Sequence, residues 1–329
     1  MDKNKQIILA LVSVLVLYAV LEALMMIGIL GPYWQEIMRY AMVVAIGALG
    51  LSIIYGFTGQ FSLGHAAFVG IGAYAAGLFN LTFRHYGIPA FLGSLVVGAV
   101  VAGLVGYLIG VPILRLKSDY LGIATLGFGF IVTNGLQNAD KLIPALGGAR
   151  GMTGIPQVQS FGWYYALVLI VVILVRNFVF STHGRACTAI RENETAANVV
   201  GVSPARTKIM AFTMGCALAG LGGALYAHNI PFLHPDSFNF LESINYLIVV
   251  VLGGLGSLTG TVITAVGWAF IMEVLRMVLG PLYDFRGVIY AIILVVVIIV
   301  RPQGVFGGIE ASFLVPQIKR RKAHAAAGD

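Results

Sequence analysis

The segment GFTGQFSLGHAAFVGIGAYAAG (56–77) holds six glycines together with Gln60, Ser62 and His65, inside a chain that is 59% hydrophobic. A lipid-facing helix would run smooth and leucine-rich here. Lipid offers no partner to a free backbone N–H or C=O, so a polar, glycine-broken stretch must be satisfied by protein or by water in a cavity. The segment therefore calls for a helical bundle with interrupted helices beside a polar route.

Composition agrees. Charged residues are 10% of the 329 positions and the mean hydropathy is +0.94. A soluble domain of this size could not cover its surface with so few charges. About 20 apolar residues cross a bilayer core as a helix. Segments of that order occur at 7–30, 37–56, 61–80, 88–111, 119–138, 161–180, 207–227, 242–256, 258–279 and 285–300. The fold class is all-α, a polytopic helical membrane protein of about ten transmembrane helices, some of them discontinuous. Span 7–30 is too long for a signal-peptide core and is expected to be retained. The weakest span is 242–256, whose 15 residues make about 22 Å of helix.

Charge sets the orientation. With both termini cytoplasmic, 14 of the 20 Lys and Arg fall inside. Among them are Lys3, Arg115, Lys117, Arg185, Arg191, Lys208 and the run Lys319 to Lys322. Six fall outside: Arg39, Arg84, Lys141, Arg150, Arg276 and Arg286. This is the positive-inside bias. The chain thus divides into a transmembrane domain (1–310) and a basic cytoplasmic tail (311–329). The domain includes a glycine-rich outer loop (139–160) and a polar inner loop (181–206). Although the net charge is +7, no basic surface interleaved with aromatics invites nucleic acid. Cys187 and Cys216 lack metal-ligand spacing and read as free thiols.

Within the opening segment, Gly59, Gln60, Ser62, Gly64 and His65 are candidates for the translocation pathway. Ser62 is expected to cap the following helix. A second broken region, VVVLGGLGSLTGTVITAV (249–266), adds Gly253, Gly254, Gly256 and Ser257 as candidates. Interrupted helices of this kind line cavities in transporters. Small residues four apart, such as Ala102, Gly106 and Gly110, or Gly215, Ala219 and Gly223, allow close helix approach. Tight packing alone accounts for most of these glycines, and a hydrogen-bonded structural role is the plainer reading of His65. Glu22 is expected to pair or snorkel, and Glu273 with Arg276 to form a local ion pair. No carboxylate chain crosses the membrane as in a proton-driven carrier.

The inner loop STHGRACTAIRENETAANVVGVSPARTK (181–208) predicts a helix over 185–200, ended by Gly201 as C′ residue. Ser203 and Pro204 then open the next span. Ala186, Ala189, Ile190, Ala196, Ala197 and Val200 fall largely on one face, with Arg191, Glu192 and Glu194 mostly away from it. So narrow an alanine face grips lipid weakly and suits a groove on a cytoplasmic partner. The chain has no GxxxxGK[ST] phosphate loop, HExxH or GxSxG and no catalytic constellation. It is not expected to be an enzyme or to bind a metal or cofactor.

Seven blocks occur in order: GFTGQFSLGHAAFVGIGAY (56–74), LRLKSDYLGIATLGFG (114–129), GGARGMTGIP (147–156), AIRENETAANVVGV (189–202), AFTMGCALAGLGGALYA (211–227), VVLGGLGSLTG (250–260) and RPQGVFG (301–307). Together they resemble the membrane subunits of bacterial branched-chain amino acid ABC importers, with closer likeness to the M-type (LivM-like) permease. Phe130 and Leu146 depart from that pattern. The resemblance implies an inner-membrane permease paired with an H-type permease subunit and two cytoplasmic ATPase subunits that use ATP and Mg. It also implies a periplasmic substrate-binding protein and a cargo of leucine, isoleucine or valine. It places Glu194, Ala196, Ala197 and Gly201 in the ATPase-coupling loop, with Arg185, Ala189, Ile190, Arg191 and Glu192 beside them. Urea and short-chain amide permeases share much of the pattern, so they remain alternative substrates. A self-contained secondary carrier and a non-transporting scaffold are the rival classes.

Overall fold

A computed structural model describes residues 3–116, 118–280, 285–301, 303–307 and 310. Lys117 and the tail 311–329 lie outside the described residues. The helices are α1 (Lys3–Met26), α2 (Pro32–Leu51), α3 (His65–Thr82), α4 (Ile88–Ile113), α5 (Ser118–Gln137) and α6 (Phe161–Phe180). They continue as α7 (Thr182–Glu192), α8 (Glu194–Val199), α9 (Pro204–Asn229), α10 (Phe240–Gly253), α11 (Leu258–Leu279) and α12 (Arg286–Val300). A π-helical turn, Ser52–Phe57, extends α2. Two short strands, β1 (Met152–Thr153) and β2 (Phe232–Leu233), pair antiparallel, with Met152 opposite Leu233.

Five stretches among the described residues are long and apolar enough to cross a bilayer: Pro32–Phe57, Ile88–Ile113, Phe161–Phe180, Pro204–Asn229 and Leu258–Leu279. The 14 residues of α10 make a shorter rod of about 21 Å.

Helix α9 is the centre of the bundle and packs against α2, α3 and α4. The reason is backbone proximity. A methyl group on Gly72 of α3 would collide with the backbone of Gly220 on α9, and one on Gly220 would strike Ala102 and the Gly98 carbonyl of α4. Gly50 and Gly215 join α2 to α9 in the same manner. Such approaches let dispersion hold helices together where lipid gives no hydrophobic drive. The outward face is the complement. On α4, Val96, Val100, Leu104 and Leu108 stand exposed four residues apart, while Gly98, Ala102, Gly106 and Gly110 are buried. Small residues inside and branched ones outside is the arrangement a bilayer-embedded bundle needs.

The bundle has two distinct ends. Helices α7 and α8 lie at the end where α9 begins. The 139–160 loop lies where α9 finishes, tied down by β1 pairing with β2 and by Val158 N–H donating to the His228 carbonyl (3.0 Å). His228 bridges Pro156 O (2.9 Å) and Ser94 Oγ (2.8 Å). Arg39, buried on α2, donates to Asn229 Oδ1 (2.9 Å) and Gln159 O (3.1 Å). The sequence marks Arg39 only as an outer charge and gives His228 no distinguishing motif. Both anchor the loop, because a buried cation or imidazole needs acceptors close by.

Candidate functional site

The first broken segment starts where α2 widens into its π-helical turn, a local bulge often found at functional sites. Thr58 Oγ1 donates back to Ile53 O (2.8 Å), and Gln60 N–H reaches Ile54 O (3.0 Å). Gly59 has φ +74°, which a side chain would resist. The Gln60 amide donates from Nε2 to Lys208 O (3.1 Å), while its Oε1 is buried without a partner. Irregular backbone here is satisfied largely from its own preceding turn, a protein partner of the kind the bilayer requires.

One expectation fails at this point. Ser62 does not cap α3: its hydroxyl is buried without a hydrogen-bond partner, and Gly64 occupies the cap position. The free N–H groups of Leu63 and Ala66 are satisfied by other helices. Leu63 N–H donates to Thr125 Oγ1 on α5 (3.1 Å), and Ala66 N–H to Ser243 Oγ on α10 (3.0 Å). A methyl group on Gly64 would overlap the Thr125 carbonyl, so this closeness is what admits α5. His65 is fully buried and bonds Gly47 O through Nε2 (2.8 Å), with its ring edge-on to Tyr246.

The second broken segment lies at the same end of the bundle. Helix α10 stops at Gly253, Gly254 turns with φ +102°, and Gly256 has φ +85°. Ser257 caps α11 by accepting from Gly260 N–H (3.0 Å). Glu310 adds a second cap, accepting Leu258 N–H (2.6 Å), Thr259 N–H (3.3 Å) and Thr259 Oγ1 (2.8 Å). Gly253 is pressed on Gly260, and Gly254 on Gly304 and Gly307. These two glycines are packed positions. Local patterning could not reveal Glu310, whose partners lie about fifty residues earlier.

The inner loop forms two helices, correcting the single helix expected over 185–200. Asn193 breaks it with extended backbone (φ −160°), and its Oδ1 accepts Ala196 N–H (2.9 Å) as the cap of α8. Asparagine is among the strongest caps, so its side chain starts a new helix more readily than it continues the old one. Gly201 (φ +88°) ends α8, with Gly201 N–H donating to Asn198 O and Val202 N–H to Ala197 O, both 3.0 Å. This is the paired bonding of a Schellman motif.

The expected apolar face also divides. Cys187, Ile190 and Ala197 are buried against the bundle, whereas Ala189, Ala196, Val199 and Val200 are exposed. Glu194 pairs with Lys208 at 2.7 Å, and Arg185 stays exposed near the Phe180 carbonyl (3.1 Å). Arg191 does not point away. Its Nη1 donates to Gly56 O (2.6 Å), its Nη2 pairs with Glu192 (2.8 Å), and a methyl group on Gly256 would sit 3.0 Å from Nη1. One guanidinium thus joins the inner loop to both broken segments.

Two cavities open at opposite ends of α9. The inner one, about 470 Å³, is lined by Gly59, Gln60, Arg115, Arg191, Glu194 and Lys208 among others. The outer one, about 400 Å³, lies between α2, α10, α11 and the end of α9. Of the pathway candidates, Gly59 and Gln60 border the inner cavity, while Ser62, Gly64, His65, Gly253 and Gly254 are packed. Near the outer one Glu273 accepts from Tyr33 Oη and lies 3.8 Å from Arg276, as the spacing predicted. Glu22 on α1 keeps Oε2 buried without a partner.

Residues 33–298 match the family described as the permease component of branched-chain amino acid transport systems. The high-affinity branched-chain amino acid transport system permease protein LivM of Salmonella typhimurium is 32% identical, across 93% of this chain and 77% of that protein. LivM of Escherichia coli is also 32% identical, across 86% of this chain and 73% of that protein. The LivH permease of Escherichia coli is more distant, at 22% identity across 80% of this chain and 91% of that protein. No solved structure matches. The apolar bundle, its lipid-compatible surface and these likenesses describe one kind of molecule: the chain is a multi-pass membrane protein that belongs to the family of branched-chain amino acid transport permease components.

Proposed function

We propose that this chain is one permease half of an ATP-driven importer for leucine, isoleucine and valine in a bacterial inner membrane. It crosses ten times with both termini in the cytoplasm, pairs with an H-type permease, and carries its substrate along the interface between the two. Two ATPase subunits bind ATP and Mg below it, and a periplasmic binding protein delivers cargo to the 139–160 loop. The chain itself hydrolyses nothing.

The observation that supports this most is the tip of α8. Val199 and Val200 are 83% and 77% exposed on a short helix that is capped at both ends. A rigid apolar knob next to the Glu194–Lys208 pair suits insertion into a groove on a neighbouring protein. Motion of that neighbour would reach the bundle through Arg191, and with it the pathway residues Gly59 and Gln60. A coupling free energy between two sites needs such a connected element. The anchored 139–160 loop offers a preformed surface at the other end.

Reconstitution in proteoliposomes tests the reading. The complete system is expected to take up leucine only with ATP inside and binding protein outside. Val199→Asp with Val200→Asp should release the ATPases from a normally folded permease and abolish uptake. Uptake of leucine by the permease alone would refute the scheme. Uptake of urea or acetamide with leucine excluded would assign the alternative cargo.

A further inference from the structure

The outer cavity has a chemistry of its own. Its volume of about 400 Å³ falls within the range of about 300–1,000 Å³ that small-molecule pockets occupy. It is built around Glu242 on the first turn of α10, whose Oε1 accepts from the Tyr40 hydroxyl and from Asn245 Nδ2, both at 3.3 Å. Asn245 is fixed in turn by a hydrogen bond from Trp268 Nε1. The rings of Tyr40 and Tyr226 stand 6.1 Å apart, tilted by 58°, on the same wall. Ile37, Val44 and Val69 supply an apolar wall.

The lining also carries Glu36, Asp236 and Glu273 against one cation, Arg276, so it is net acidic, and carboxylates beside tyrosine rings suit an ammonium group. The carboxylate offers charge-assisted hydrogen bonds, and the rings add cation–π attraction once water is displaced. Neutral amides and urea can donate to the carboxylate but gain neither the ion-pair attraction nor the cation–π term. Branched aliphatic groups gain from the apolar wall by losing water contact.

We propose that this cavity binds the free amino acid within the permease itself, with Glu242, Tyr40 and Tyr226 receiving its ammonium group and Ile37, Val44 and Val69 its branched side chain. The proposal rests on the import function put forward above and gives that function a second point of selection, after the delivery protein. It separates amino acids from amides by charge. It also sits at the end of the bundle where the 139–160 loop is anchored, apart from the inner cavity by most of the length of α9.

The test uses the permease pair with its ATPases in lipid nanodiscs, without binding protein, and equilibrium binding of radiolabelled leucine. Isoamylamine, which keeps the ammonium and the branched chain, should displace leucine. The probe 4-methylpentanoate, which lacks the ammonium, should need at least a hundredfold higher concentration. Glu242→Gln should weaken leucine binding at least tenfold and Glu242→Asp only a few-fold, in complexes that co-purify with all subunits. If Glu242→Gln fails to assemble, Tyr40→Leu carries the test, with a loss of at least fivefold expected. Unchanged binding in an assembled variant, equal displacement by 4-methylpentanoate, or no leucine binding by a complex that still imports leucine would each overturn the assignment. Failure of the import function looks different: the complete system would then show no ATP-dependent leucine uptake at all.

Discussion

Arg191 and Gly56 lie 135 positions apart in the chain, yet the guanidinium Nη1 of the first donates to the carbonyl of the second at 2.6 Å. That bond joins the inner loop to the end of the π-helical turn, and the same guanidinium backs onto Gly256. In the coupling proposed above, a push on α7 would reach both broken segments through this one side chain.

If the chain works as proposed above, Arg191→Ala is expected to uncouple transport from ATP hydrolysis. Uptake in proteoliposomes should fall at least tenfold, while ATP hydrolysis and subunit assembly persist, because the loop stays folded through its own caps. Lysine at this position, which keeps charge but loses the fork geometry, should restore a minority of the activity. Normal uptake by the alanine variant would remove Arg191 from the coupling path.

Labelling sets the orientation. Burial pushes the Cys187 thiol up, so little reactive thiolate forms at neutral pH. The thiol form prevails below the raised pKa, and labelling grows only as pH climbs toward it. Cys187 and Cys216, both buried, should therefore stay silent to a membrane-impermeant maleimide at pH 7. Ala149→Cys and Val199→Cys, both exposed in the native chain, should label from opposite sides of the membrane. Labelling of both from one side would defeat the ten-span orientation.

Close backbone approach predicts a sharp contrast between two helical glycines. Gly72→Leu should cost about 1–3 kcal/mol or more through overpacking, since its side chain would enter Gly220. Gly267→Ala has open space around it and should stabilise by about 0.5–1 kcal/mol, the helix-interior advantage of alanine over glycine. Thermal denaturation in detergent, followed by size-exclusion chromatography, reads both.

Removing the Glu310 carboxylate should loosen the start of α11. Glu310→Ala is expected to cost about 1 kcal/mol, the worth of a helix cap. Faster hydrogen exchange at Leu258 and Thr259 should accompany it, with exchange at the far end of α11 unchanged. Equal exchange in wild type and variant would show that Ser257 suffices alone.

The sequence by itself determined several of the helices and some of their ends. The expected 161–180 and 258–279 coincide with α6 and α11, and Gly201 ends α8 as expected, through bonds to residues within five positions. Hydropathy, glycine and cap signals act over one or two turns, so they can be read along the chain. Tertiary structure decided what reaches across it. Ser62 lost its expected cap role because Thr125 and Ser243, on other helices, already satisfy the N–H groups around the start of α3. Arg191 turned inward because a carbonyl freed by the π-helical turn stood within its reach. Glu310 and Tyr40 find partners more than fifty positions away. No local periodicity records which distant acceptor a long polar side chain will meet, and that meeting is settled only when glycine faces bring the backbones together.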